Sequence, residues 1–214
     1  MKIKKPNIST ELDTVENLFP LISLSKADES DIFGKYIKGV SLSDADLSRV
    51  CFKEVIFENC QFVDCLFLKS DFVDVIFKSC NISNSNFSDG YFNRCQFVSC
   101  KAVGVNLQNS KLQHLSILNS NFKYANFDTS ILSNVSILKS EMSDGNISEC
   151  KLTNLELDDV SFINTSFFKT PLKGIDFTRS QIDGMTVSGE ELKGAIVSAY
   201  QASELAKLLG LIVK

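Results

Sequence analysis

From Ile37 to Val197 every fifth residue is apolar, without one insertion or deletion, and Ala102 is the only small side chain in that frame. Calling this position i, the run includes Phe52, Phe57, Phe62, Phe67, Phe72 and Phe77, and later Phe122, Phe127, Phe162, Phe167 and Phe177. Two residues earlier, at i−2, the chain is mostly small, with Cys60, Cys65, Ser70, Val75, Cys80, Ser85, Cys95, Cys100, Ser110, Ala125, Cys150 and Thr165. A period of five fits neither the 3.6 of an amphipathic helix nor the 2 of a half-buried strand. Self-similarity at a fixed period instead marks a repeat architecture. With i and i−2 turned inward, i−1, i+1 and i+2 point outward, and Asp46, Asp71, Asn86, Asn126, Asn146 and Asp176 stand at i−1.

Pentads such as Ala45-Asp46-Leu47-Ser48-Arg49 and Ala125-Asn126-Phe127-Asp128-Thr129 resemble the A-(D/N)-L-X-X motif of pentapeptide-repeat proteins. The resemblance implies an all-β solenoid, a right-handed quadrilateral β-helix in which four pentads make one coil. Residues one coil apart then stack about 4.8 Å from one another, and roughly eight coils make a rod about 40 Å long. Specific columns follow. Cys60, Cys80 and Cys100 line one internal column and Phe57, Phe77 and Phe97 another, while Asn86, Asn106, Asn126 and Asn146 form an outer amide ladder.

Both ends depart from the frame. Thr10 followed by Asp13 looks like a helix cap, Leu12, Val15 and Phe19 share a helical face, and Pro20 ends the run, so a short helix is expected over 10–19. A solenoid end exposes core and unpaired backbone, and this helix would cover it. At the other end Tyr200, Leu205, Leu208 and Leu209 sit at helical spacing, Gly210 supplies a stop, and Leu211, Ile212 and Val213 form a strand-like tail. The organisation expected is therefore an N-terminal segment with a short capping helix at 1–34, a β-helix at 35–199, and a C-terminal helix and tail at 200–214. That last apolar segment is either a monomeric cap or, as expected here, a homodimer contact about a two-fold axis.

Composition narrows the picture. Three Pro, no Trp and 17 Phe suit a regular core tiled with one large side chain. A net charge of −4 argues against direct binding to nucleic acid, whose affinity comes from Lys and Arg on phosphates. No apolar run approaches a membrane span and the amino terminus is polar, so a cytoplasmic protein is expected. Six of the seven cysteines occupy i−2 and read as small buried hydrophobes, with no CxxC to suggest a metal. Cys51, at an outward position, is expected to be the reactive thiol. The single histidine, His114, lies at an outward position, and no nucleophile elbow or phosphate loop occurs. Neither catalysis nor a cofactor or metal is expected.

The strings Asp176-Phe177, Leu192-Lys193-Gly194, Tyr200-Gln201-Ala202-Ser203 and Leu209-Gly210-Leu211-Ile212-Val213 are similar to the carboxyl end of Qnr-type quinolone-resistance proteins. That resemblance implies a dimeric rod that binds DNA gyrase and topoisomerase IV by mimicking DNA, inhibits supercoiling, and confers or modulates fluoroquinolone resistance. The partner-binding face would be the most acidic one, where Asp44, Asp64, Asn84, Asp144 and Asn164 share an outward column with Glu141 and Asp183 nearby. Many Qnr proteins carry two projecting loops that this unbroken frame lacks, a departure that bears on drug protection more than on gyrase binding. A structural or scaffolding repeat protein with a different protein partner remains the alternative.

Overall fold

In the computed structural model, which describes residues 3–208 and 210–213, the pentads wind into a parallel β-solenoid. In chain order the elements are β1 (Asp13–Val15), α1 (Phe19–Asp28), β2 (Ile32–Lys38), β3 (Ser41–Ser43), β4 (Cys51–Glu58), β5 (Gln61–Val63) and β6 (Asp71–Lys78). They continue with β7 (Tyr91–Val98), β8 (Lys111–Leu118), β9 (Ile131–Glu141), β10 (Lys151–Ser161), a 3-10 turn at Glu190–Leu192 and α2 (Ala199–Leu208). One sheet runs β1-β2-β4-β6-β7-β8-β9-β10, and β3 pairs with β5.

All these pairings are parallel, and between coils the register is fixed: Ile32 lies opposite Phe52, Phe52 opposite Phe72, and Phe72 opposite Phe92. The coil register thus begins at Ile32, one pentad before Ile37. From β2 to β10, two faces of each coil are carried by the long strands. The other two are joined by single bridges such as Asn81 to Lys101 and Asn86 to Asn106.

Each position of the pentad has a physical reason. The i side chains fill the interior, where the rings of Phe57, Phe77 and Phe97 stack at centroid spacings of 4.9 and 4.8 Å. That is the rung spacing itself, so flat rings tile the axis without gaps, while neighbours within a coil such as Phe57 and Phe62 meet edge-to-face at 89°. The i−2 side chains are donors as well as fillers. Cys60 Sγ reaches the Ile37 carbonyl at 3.3 Å, Ser85 Oγ the Phe62 carbonyl at 2.6 Å, and Thr165 Oγ1 the Met142 carbonyl at 2.9 Å. A small residue with an S–H or O–H therefore satisfies a buried carbonyl that a purely apolar one would leave open. At i+2 the backbone turns a corner with φ near +55°, as at Asp64, Asn84 and Asn109. Asp and Asn tolerate that left-handed region better than most residues.

The N-terminal segment differs from the sequence expectation. Residues 10–18 hold no helix; Asp13–Val15 form β1, paired with Lys35–Ile37, and the helix runs instead over Phe19–Asp28. Pro20 does not stop a helix here but starts one, because a first-turn proline lacks only an N–H that has no intrahelical partner anyway. Leu18 and Ile22 bury against the first coil. Ahead of β1, the arm runs along one corner of the rod: Ser9 Oγ donates to Glu54, Asn7 N–H to Asp74, and Lys4 N–H to His114 Nδ1.

At the C-terminal end Ser198 and Gln201 form a capping box. Gln201 N–H donates to Ser198 Oγ at 3.2 Å and Ser198 N–H to Gln201 Oε1 at 2.8 Å. The same buried Gln201 side chain donates from Nε2 to the carbonyls of Phe177 and Ser180, which fixes α2 across the last coil. No helix among the described residues is long and apolar enough to cross a membrane.

Candidate partner-binding surfaces

The face centred on Leu42, Phe62 and Ile182 carries Asp44, Asp64, Glu141, Asp144 and Asp183 against two lysines, Lys101 and Lys123. The structure divides the five carboxylates. Asp44 and Asp64 stand on adjacent coils, exposed and at left-handed corners. Further along the same column Gly104 and Tyr124 replace the acid. Asp144 lies beyond them, 3.3 Å from Lys123 Nζ and accepting from Asn164 Nδ2 at 3.1 Å. Glu141 accepts the N–H of Ser143 at 2.8 Å, and Asp183 is exposed near the C-terminal end. Two separate acidic patches result, at opposite ends of the face.

The composition of this column also answers a backbone demand. Its i+2 residues read Asp44, Asp64, Asn84, Gly104, Tyr124, Asp144, Asn164 and Gly184, and all eight adopt positive φ. Carboxylate, amide and glycine alternate because all suit the corner, and only the carboxylates add charge.

On the neighbouring face the apolar outward residues pack on one another: Ile56 lies opposite Ile76, Val98 opposite Leu118, and Leu118 opposite Leu138. They stabilise adjacent coils as cross-strand pairs rather than standing as one open patch. The amide ladder joins Asn146 Nδ2 to Asn126 Oδ1 and Asn126 Nδ2 to Asn106 Oδ1, each at 3.2 Å. Asn86 is bridged to Asn106 through the backbone.

The C-terminal residues separate into two roles. Leu205 is half-buried against the core beside Leu192, Ala195 and Val197. Tyr200, Leu208, Leu211, Ile212 and Val213 are exposed, Ile212 at 86%. Leu209 lies outside the described residues. The sequence reading placed Gln201 only within the tail string and missed its capping role, although the Ser198-x-x-Gln201 spacing signalled a capping box.

Cys51 is not an activated thiol. Burial first, then the adjacent Asp31 carboxylate, push its pKa up to about 12. A thiol held protonated is a poor nucleophile. His114 is pushed below its usual value by burial and by the charges of Lys4 and Arg94. Among the described residues no group of three or more His, Cys, Asp and Glu side chains could hold a metal ion.

Residues 70–147 match a family model described as a pentapeptide repeat region. No curated protein sequence matches the chain. Among solved structures, a trypsin-treated form of QnrB1, a plasmid-mediated fluoroquinolone resistance protein, is 22% identical, covering 85% of this chain and 91% of that one, with a TM-score of 0.49. HetL, a pentapeptide repeat protein involved in heterocyst differentiation regulation from the cyanobacterium Nostoc sp. strain PCC 7120, is 13% identical over 85% of this chain and 93% of its own, with a TM-score of 0.47. A pentapeptide repeat protein of the Arabidopsis thaliana thylakoid lumen is 21% identical over 42% of this chain and 62% of its own, with a TM-score of 0.40.

Proposed function

We propose that this pentapeptide-repeat protein, assigned as such by its coil register and the match over residues 70–147, is a rod that binds DNA gyrase and topoisomerase IV in place of DNA. The supporting observation is the face on which Asp44, Asp64, Glu141, Asp144 and Asp183 outnumber Lys101 and Lys123, on a scaffold that repeats at the rung spacing of a parallel sheet. Duplex DNA carries a charge about every 1.7 Å, and enzymes read it with basic grooves. An acidic rod is steered into such a groove by the same field. Its charge density is far lower than that of DNA, so shape carries part of the mimicry.

The tail strings that resemble the Qnr carboxyl end support the same partner, and the exposed Tyr200, Leu208 and Leu211–Val213 support a homodimer formed at that end. Because no insertion breaks the pentad frame, inhibition of supercoiling is expected to exceed protection from fluoroquinolones. Pull-down from a bacterial lysate tests the partner. Recovery of gyrase or topoisomerase IV subunits supports the reading; recovery of other proteins without either enzyme favours a scaffold for a different partner.

A further inference from the structure

Between the coil of β10 and the coil after it, the backbone ladder is broken. In closed coils the N–H of an i or i+2 residue bonds the next coil, as from Phe62 to the Asn81 carbonyl and Asp64 to the Ser83 carbonyl. The N–H of an i−1 residue bonds the coil before, as from Lys151 to the Ser130 carbonyl. Pro171 has no N–H to give to Cys150 in that series. Among the described residues no backbone hydrogen bond joins 151–158 to 171–178, and the sheet ends at β10. Residues 171–178 bond forward instead, through Leu172 N–H to Glu191 and Phe177 N–H to Ile196.

The N–H groups of Leu152, Asn154 and Leu157 are thus left facing a cleft of about 580 Å³. The break has a side-chain counterpart. By the pattern of Ser85 on Phe62 and Thr165 on Met142, the Ser180 hydroxyl would donate to the Leu157 carbonyl. It has no hydrogen-bond partner among the described residues, although Ser180 is only 8% exposed. Buried polar groups are otherwise paired almost throughout proteins. Leu152, Leu155 and Leu157 are half-buried at the cleft, whereas Leu132, Val135 and Ile137 one coil earlier are at most 3% exposed.

Charge says what fits between the two coils. The outward column crossing the cleft reads Ile56, Ile76, Gln96, Ser116 and Ser136, turns to Glu156 and Asp176 on the two edges, and returns to Ile196. Closing the rung would set those carboxylates directly opposite each other, which is unfavourable, whereas a cation between them satisfies both. Lys173 is the one cation lining the cleft, and an acid beside it completes the match. At the corner Asn154 and Gly174 both have positive φ, so a residue between them is best Gly or Asn. Inward sites follow between Leu155 and Ile175 and between Leu157 and Phe177.

We propose that the cleft is a docking slot for an extended segment of a partner protein, added as a parallel strand to β10. Its sequence runs acid, Gly or Asn, apolar, basic, apolar. Free strand edges take up such segments through main-chain hydrogen bonds, with alternate side chains setting specificity. Leu152 and Leu157 belong to other faces of the coil than Phe62 and Ile182, so this slot is a second surface, independent of the acidic column and of the topoisomerase reading.

The probe is a fluorescein-labelled peptide, Leu-Glu-Gly-Val-Lys-Val-Thr, with its charge-swapped isomer Leu-Lys-Gly-Val-Glu-Val-Thr as control, each titrated against the full chain by anisotropy. The two have the same composition and net charge. The first should bind at least tenfold more tightly, and Glu156→Lys should abolish or invert that preference; Glu156 is exposed, so the variant should fold. Amide exchange at Leu152, Asn154 and Leu157 in the free protein should be at least tenfold faster than at Leu132, Asn134 and Ile137, and should slow on saturation with the first peptide. No binding, equal binding of the two isomers, or a preference untouched by Glu156→Lys overturns the proposal. Equal protection of the two sets of amides in the free protein also overturns it, since the rung would then be closed.

Discussion

Arg94 grips Asp74 on the adjacent coil with a forked ion pair, Nε to Oδ1 at 2.6 Å and Nη2 to Oδ2 at 2.5 Å, and the same Asp74 Oδ1 accepts the N–H of Asn7 at 2.8 Å. One carboxylate thus ties two coils together and pins the N-terminal arm to both.

Asp74→Ala should cost about 1–3 kcal/mol, since it strips a part-buried guanidinium of its partner and leaves the Asn7 amide unpaired. The arm should loosen before the rod does. Amide exchange at Asn7 and tryptic cutting after Lys4 should quicken while the far-UV β signal is unchanged; loss of both together would mean that the arm and coils unfold as one unit.

The amide ladder predicts a graded response. Asn126 donates to Asn106, accepts from Asn146 and caps the N–H of Asp128 at 3.1 Å. Asn86 caps Ser88 but makes no side-chain ladder bond among the described residues. Asn126→Ala should therefore lower stability by about 1–2 kcal/mol and Asn86→Ala by roughly half of that, read as urea midpoints at constant m-value.

Glu191 governs the acid limit of the C-terminal end. Its buried carboxylate accepts from Lys169 N–H at 2.6 Å and from the backbone of Ser188 and Gly189, both at 3.0 Å. Burial alone would raise its pKa, but these donors together hold it below the ordinary glutamate value. A depressed carboxyl adds stability above the unfolded pKa of about 4.3 and loses it as pH falls through the folded value. Stability should thus decline below roughly pH 4.3, and Glu191→Gln should lower stability at neutral pH and flatten that decline. An unchanged acid slope would remove Glu191 from the account.

Cys51 should resist alkylation at pH 8, reacting well below the rate of a free thiol, because burial and Asp31 hold it protonated with a pKa of about 12. Asp31→Asn removes the nearby negative charge and should speed the reaction, as read by mass-resolved labelling.

The interior was readable because a five-residue period is local: every Phe at position i and every i−2 thiol is placed by its neighbours in sequence. The N-terminal arm was not, since β1 pairs Asp13 with Lys35 in a register outside the coil repeat, and Pro20 punctuates a helix start as readily as a stop. The acidic column was legible as a column, yet Tyr124 and Lys123 interrupt it, and its Asp and Asn also serve the left-handed corner. Asp74 with Arg94 was visible as opposite charges one coil apart, once columns as well as pentads are compared.

The central claim is tested most directly by relaxed-plasmid supercoiling with purified gyrase, titrating the protein with and without ciprofloxacin. The predicted result is inhibition of supercoiling by the protein alone, weaker when Asp44→Asn and Asp64→Asn are combined, with only slight rescue of the drug-poisoned enzyme. No effect on gyrase in either condition would contradict it.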